Sequence, residues 1–534
     1  MAPLPLFPLR SPVGLTRRSF ITATASFATA ALLSTRAFGV TTSQPKFSAY
    51  PFSLGIASGD PLHDGVVLWT RLAPQPLEIG SGMPPESVEV SWQLCDDEAM
   101  SRVVKSGTAI ANPQWAHSVH VEVEGLRPDR WYWYQFKVGG EVSPKGRTRT
   151  APPPDAVPDR LRFAFASCQH YEAGFYPAYR HMAKEDLDLI VHLGDYIYEG
   201  PGYVENSKKA STNVRRHLGG ETQTLDDYRL RYALYKTDPA LQAAHAMAPW
   251  IVTWDDHEVT NNYAGDHSGS KHQPREQFLL RRAAAYQAYF ENMPLRRTAL
   301  PHGPDMLLYR SLSFGRLANF HVLDTRQYRT PQPQGDGNKP PSPVLMDPKG
   351  TLMGDRQRDW FFNGLERSTA SWNVVAQQIM VARVDKTRGP EVTYSMDQWP
   401  GYEFERRRML RHFHDAKIKN PVVIAGDIHT NWANELIADF DQLDSKCVAT
   451  EFVGTSITSG GNGTAKPAST DQLYAENPFV KFFNAERGYV HCEVTAKQWR
   501  TDYRTVEKVT DINSPLNTRA SFVVESDRPK LLRA

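Results

Sequence analysis

Several absences narrow this sequence before any motif is read. Outside one modest run near the start, no stretch approaches the roughly 18 consecutive apolar residues of a membrane-crossing helix, so the mature chain is not expected to span a bilayer. There is no basic tract, which argues against stable nucleic-acid binding. No internal repeat is found. Lysine and acidic residues are missing from residues 1 to 39, which instead hold Arg10, Arg17, Arg18 and Arg36. That segment carries +4, so with a formal net charge of +2 the rest of the chain stands at −2, near neutral. Cysteine is scarce: Cys95, Cys168, Cys447 and Cys492 are all there is. In an exported protein such residues could pair, but their spacing does not say how.

What is present reads as globular. Apolar residues make up 40% of the chain and charged residues 22%, enough for an ample core. A length of 534 residues exceeds one ordinary domain and predicts two or three. Thr16-Arg17-Arg18-Ser19-Phe20-Ile21 resembles the twin-arginine export motif, and the apolar run from Phe20 to Leu33 has the length of a signal h-region. Residues 1–39 are therefore expected to be a signal peptide read by the twin-arginine translocon, with cleavage after Ala37-Phe38-Gly39. The product would be periplasmic or secreted. That route carries folded proteins and suits an enzyme loaded with metal in the cytoplasm.

Residues 45–150 read as an all-β domain of fibronectin or immunoglobulin type. Val66–Thr70, Val88–Gln93 and the strict alternation of Val119–Val123 mark short strands. Leu126-Arg127-Pro128 turns into Trp131-Tyr132-Trp133-Tyr134 as the last hairpin of such a module would. Residues 151–158, rich in proline, read as a stiff linker. Residues 159–525 then form an α/β domain. Its centre is residues 161–200, which read as strand, helix, strand. Phe163 and Phe165 alternate with Ala164 and Ala166, residues 174–182 keep helical spacing, and Leu187–Leu193 is apolar again. Such units build parallel sheets, and ligands gather at the carboxyl ends of their strands. Further strands are expected at Trp250–Trp254, Leu317–Leu323, Val374–Val381 and Pro421–Ala425. Long helices are expected at Gln273–Glu291, Asp355–Ser368 and Tyr402–Ala416.

Four of these strands end in ligand-type residues. The first ends at Cys168, with His170 two residues on; the second ends at Asp195 and Tyr198. Trp254 leads into Asp255, Asp256 and His257, with Asn261 just beyond; Gly426 leads into Asp427 and His429. A thiol, a carboxylate and a phenol on one sheet rim suit a hard trivalent metal; read singly, they are a buried cysteine and a helix-capping aspartate. Adjacent Asp255 and Asp256 are costly to bury as anions unless a cation lies beside them. Asp324 and Arg326 end another strand and read equally as a phosphate fork or a structural pair.

In order, FASCQ, HLGDYIYEG, TWDDHEVTNN, LDTRQYR and GDIHTNW resemble the motifs of the PhoD-like alkaline phosphatase and phosphodiesterase family, within the calcineurin-like metallophosphoesterase class. The resemblance spans about residues 45 to 525. It implies a β-sandwich flanked by helices behind the N-terminal β domain. It implies a ferric ion held by Cys168, Asp195 and Tyr198. Asp195 would bridge toward calcium, and Asp256, Asp427 and His429 would complete the cluster, with Asp255 and Asn261 as further partners. It implies His257, with Asp195, as the catalytic group that contacts the phosphoryl or protonates the leaving oxygen. In that family a metal-activated hydroxide attacks phosphorus. Asp397-Gln398-Trp399-Pro400 departs from the family pattern, which has Asp where this chain has Pro400. The expected activity is an exported, metal-dependent alkaline phosphatase acting on phosphate monoesters. The alternatives are a phosphodiesterase of phospholipase-D-like type and a non-catalytic binding protein. The substrate is expected to be a small phosphate ester and the chain a monomer. Loops 200–222 and 330–350 and the C-terminal end would cover the pocket.

Overall fold

The computed structural model describes residues 41–42, 45–203, 213–269, 272–387 and 389–534. The segment with Arg17 and Arg18, and residues 204–212 of the first covering loop, lie outside them.

Two sheets face each other through a dry interior. In the first, Leu161–Ala166, Leu189–His192 and Trp250–Val252 run parallel, with Phe163 opposite Leu189 and Ile190 opposite Trp250. In the second, Ala318–Val322, Trp372–Ala376, Pro421–Ala425 and Cys447–Val453 also run parallel. The strand Val480–Val494 belongs to both: its first half pairs with Asn431–Ile437 and its second half with Leu161–Ala166. Period-two patterning decides which residues meet. Phe163, Phe165, Val191, Phe320, Trp372, Val374, Val422 and Ile424 fill the space between the sheets. Ala164 and Ala166 face outward toward Tyr176, Tyr179 and the helices Leu225–Lys236, Pro239–Met247 and Arg275–Asn292. On the opposite outer face, Val375, Val423 and Ala425 meet Gly354–Arg367 and Glu403–Asp415. Each large interior side chain contributes about 1.5–3 kcal/mol by burial. The layers are thus helix, sheet, sheet, helix, the expected sandwich flanked by helices.

Local chemistry sets the helix starts. Thr224 and Asp227 form a reciprocal capping box, and Asp238 caps the helix that Pro239 opens. Two elements are shorter than their sequence patterns predict. The helix after the first strand spans only Pro177–Met182, because Pro177 sets its first turn. The strand expected to reach Val381 stops at Ala376, because the side chains of Gln377 and Gln378 turn to bind loops at the rim.

The N-terminal β domain closes Val66, Leu68, Val88, Val90, Tyr132 and Tyr134 into its own core. Tyr132 folds its hydroxyl back onto the Arg127 amide at 3.0 Å, a tyrosine corner at the hairpin. Its strands Ile56–Gly59, Val66–Arg71 and Ser118–Val123 pair with one another, and Gly59 pairs with Trp250 of the first sheet. All four cysteines are free, so no pairing forms. Among the described residues no helix is long and apolar enough to cross a membrane.

Candidate metal centre

The carboxyl ends of both parallel runs come to one rim. Gln378 spans the two sheets there, donating to Thr253 Oγ1 at 2.9 Å and to the Leu323 carbonyl at 2.9 Å. Just past the strand ends, Cys168, Asp195, Asp427 and His429 all have positive φ, between 56° and 65°. Non-glycine residues in this region carry about 1–2 kcal/mol of strain each, and such strain collects where side chains must be aimed. Gly194, at φ 109°, precedes Asp195. A Cβ there would lie 2.3 Å from the Asp255 amide nitrogen, so only glycine lets the second and third strand ends touch.

The ligand-type side chains form a connected row. Cys168, Asp195 and His429 offer atoms within 4.8 Å of one another; so do Asp195, Asp256 and His257; so do Asp255, Asp256 and Asp427. Asp195 and Asp256 each belong to two groups, so the three groups are one cluster. Tyr198 joins the first: its hydroxyl donates to Asp195 Oδ2 at 2.8 Å and lies 3.2 Å from His429 Nε2. His429 therefore sits with the thiol and phenol rather than with Asp427. His170 groups with Glu172 and His217, while its ring packs against Tyr198 with centroids 4.6 Å apart. Asn261 gives its backbone N–H to Glu199 at 2.8 Å.

Arg326 explains how so many carboxylates share a dry rim. It is wholly buried; Nε bonds Asp255, Nη1 meets Asp397 at 2.9 Å, and Nη2 lies 3.6 Å from Asp427 and 3.9 Å from Asp256. Of the two readings of Arg326, the structural pair holds, since a guanidinium enclosed by four carboxylates has no face for a phosphate. Asp324 accepts the Arg326 and Gln327 amides at 3.0 and 2.9 Å and shapes the turn. Asp397 anchors Arg326 and Arg329, the latter at 2.7 Å.

Four contributors were not singled out from sequence. Glu199 Oε2 is 2.6 Å from His257 Nδ1 and fixes that ring. Glu258 accepts the amides of Asp195, Tyr196 and Asp255, and so sets two strand ends at once. Ser459 Oγ lies 2.7 Å from both the Cys168 carbonyl and the Tyr198 hydroxyl, and its single proton can go to either. Gln398 donates to Asp427. Glu199 and Glu258 stood within HLGDYIYEG and TWDDHEVTNN, and Gln398 beside Asp397; Ser459 alone left no signal. Tyr196 lies in the core with its hydroxyl 2.8 Å from His245.

The donor set fits cations. Burial, then the neighbouring Asp195, pushes the Cys168 thiol well above its ordinary range, and the same two causes raise Tyr198. Burial also raises Asp195, helped by Asp256, Glu258 and Asp427 and opposed by His257. Asp427 is pushed up to about 6, first by burial, against the pull of Arg326. Buried carboxylate oxygens Asp255 Oδ2 and Asp256 Oδ1 have no hydrogen bond. Anionic oxygens left bare beside a protonated thiol and phenol are the donors a bound cation would satisfy.

Solved structures share this fold. A purple acid phosphatase from yellow lupin (Lupinus luteus) shares the fold at TM-score 0.54 and 12% identity, over 88% of this chain and 73% of that one. Residues 163–503 match the family model for PhoD-like phosphatase, and residues 39–152 match that of its N-terminal domain. Alkaline phosphatase D of Bacillus subtilis (strain 168) is 54% identical over 488 residues, covering 91% of this chain and 83% of that protein. A structure described as that of PhoD superposes at TM-score 0.89, with 54% identity, over 92% of this chain and 93% of that one. The chain belongs to the PhoD-like phosphatase family and is a phosphoric ester hydrolase. The family implies metal cofactors and a small phosphate ester as substrate.

Proposed function

We propose that this chain is an exported, metal-dependent alkaline phosphatase that hydrolyses phosphate monoesters and works as a monomer. The observation that carries the reading is the single row of ligand groups linked through Asp195 and Asp256. Cys168, Asp195, Tyr198 and His429 would hold a ferric ion, since thiolate and phenolate match its charge. Asp256 and Asp427, with Asp195 between, would hold calcium through oxygen donors. When bound, such ions oppose charge on the phosphoryl oxygens and make a water acidic enough to attack phosphorus.

The protein supplies the rest. Glu199 occupies Nδ1 of His257 and leaves Nε2 toward the cluster, where it can protonate the departing alkoxide. Its carboxylate also holds charge on that ring. Ser459 fixes the Tyr198 hydroxyl, and Glu258 fixes the backbone that presents Asp195. Arg326 stays behind the carboxylates and does not reach the substrate. Export is supported by Arg17, Arg18 and the apolar run that follows them.

The test compares turnover of mono- and bis-nitrophenyl phosphate, first with calcium present and then after chelation. The monoester should turn over faster, and chelation should abolish both activities. Preferential cleavage of the bis-ester would make the enzyme a phosphodiesterase, and chelator-resistant activity would remove the metals from the reaction.

A further inference from the structure

A cavity of about 160 Å³ opens beside the cluster. It shares the 427–430 segment with it: Ile428 and Thr430 line the cavity, while Asp427 and His429, which alternate with them, belong to the cluster. Trp432 forms one wall; it is buried, packs against Phe483 with ring centroids 4.3 Å apart and planes tilted by 42°, and donates its indole N–H to Thr430 Oγ1 at 2.7 Å. The volume matches that of a cavity which admits a benzene ring, about 150 Å³.

The charges at the mouth are unequal in availability. Asp385 accepts the amides of Thr387 and Thr393, at 2.9 and 3.3 Å, and Glu476 accepts from Gln472 at 2.7 Å. Lys386, by contrast, is exposed and forms no salt bridge among the described residues. Its ammonium lies 5.6 Å from the Trp432 ring centroid. A cation over an aromatic wall, in a cavity that shares the 427–430 segment with the cluster, is a recognition element for an anion attached to a flat apolar group.

We infer that this cavity is the leaving-group subsite of the enzyme, selecting phosphate esters whose alcohol half is a planar ring bearing a second anionic group, with Lys386 as the specificity-determining residue. The inference rests on the phosphomonoesterase reading above. The ring would lie against Trp432 and its anion would meet Lys386, while the phosphoryl group sits on the cluster.

Three esters test it on the metal-loaded enzyme: methyl phosphate, phenyl phosphate and 4-carboxyphenyl phosphate. Each variant is compared with wild type for the same ester, which cancels intrinsic leaving-group reactivity. Lys386→Gln should raise KM for the carboxyphenyl ester about fivefold and leave phenyl phosphate within about twofold. Gln472→Trp should fill the cavity and weaken both aryl esters while sparing methyl phosphate. Equal effects of Lys386→Gln on all three esters, or none on any, would overturn the role of Lys386. Undiminished use of both aryl esters by Gln472→Trp would overturn the subsite. Failure of wild type to hydrolyse any of the three would overturn the phosphomonoesterase reading and the subsite with it.

Discussion

Replacing Arg326 by glutamine should destabilise the metal-free protein strongly, and added calcium should close much of that gap. The guanidinium touches Asp255, Asp256, Asp397 and Asp427 with no solvent exposure. Removing one partner of a buried ionic network costs about 3–5 kcal/mol, because the remaining charges are left uncompensated. The unfolding entropy of a chain this long makes 1 kcal/mol worth about 1 °C, so Tm should fall by roughly 3–5 °C. Two of the four carboxylates, Asp256 and Asp427, are also proposed metal ligands. A divalent cation can therefore replace the charge that the variant lacks, and binding to the native state alone adds stability by mass action. Differential scanning fluorimetry of chelated protein, with and without calcium, reads both effects. Arg329→Gln is the control. Arg329 pairs with Asp397 and the Thr325 carbonyl, so its loss should lower Tm by an amount calcium does not change. A calcium-induced rise in Tm no larger in Arg326→Gln than in wild type would refute the reasoning.

Other perturbations address separate links. Purified protein exported with its metal should be coloured by charge transfer from thiolate and phenolate to ferric iron; Tyr198→Phe should bleach or shift the visible band, and Tyr196→Phe should not. In metal-free protein, burial would lower His257, but Glu199, Asp256 and Asp195 outweigh it and hold the imidazole well above its usual 6.5. The stability from that pairing is present in full below about pH 6.5 and is lost as pH rises through the folded-state value. Imidazole NMR titration should show the raised value fall toward normal in Glu199→Gln; an unmoved titration would remove Glu199 from its role. Lysines at Arg17 and Arg18 should leave precursor in the cytoplasm, checked by fractionation and immunoblotting.

The sequence made the strand ends legible because parallel strands advertise themselves by alternation and their termini by clustered polar residues. Phe163 with Phe165, the acid pair after Trp254, and Asp427 with His429 after Gly426 were enough to predict which segments meet. Grouping within the rim was not legible. Whether His429 sides with Tyr198 or with Asp427 depends on left-handed backbone at four non-glycine residues, which no composition rule foresees. Arg326 read equally as substrate fork or strut, because only burial distinguishes a guanidinium facing a cleft from one enclosed by carboxylates. Ser459 was invisible for a simpler reason: it acts on Cys168 and Tyr198, far away in the chain, and serine is not a rare residue.

Gly59 pairs with Trp250, the Asp60 amide donates to the Trp250 carbonyl at 3.1 Å, and Arg310 grips Asp60 at 2.6 Å. This seam bears on anyone trimming the gene. Starting a recombinant fragment at the proline-rich linker would strip the cover from Trp250–Val252, the strand that leads straight into Asp255, Asp256 and His257. A bare, hydrophobic strand edge is a template for aggregation. Such a fragment should come out insoluble. The N-terminal module is better regarded as a flank of the reaction chamber than as a detachable accessory, and swapping it between relatives would demand matching both sides of the seam.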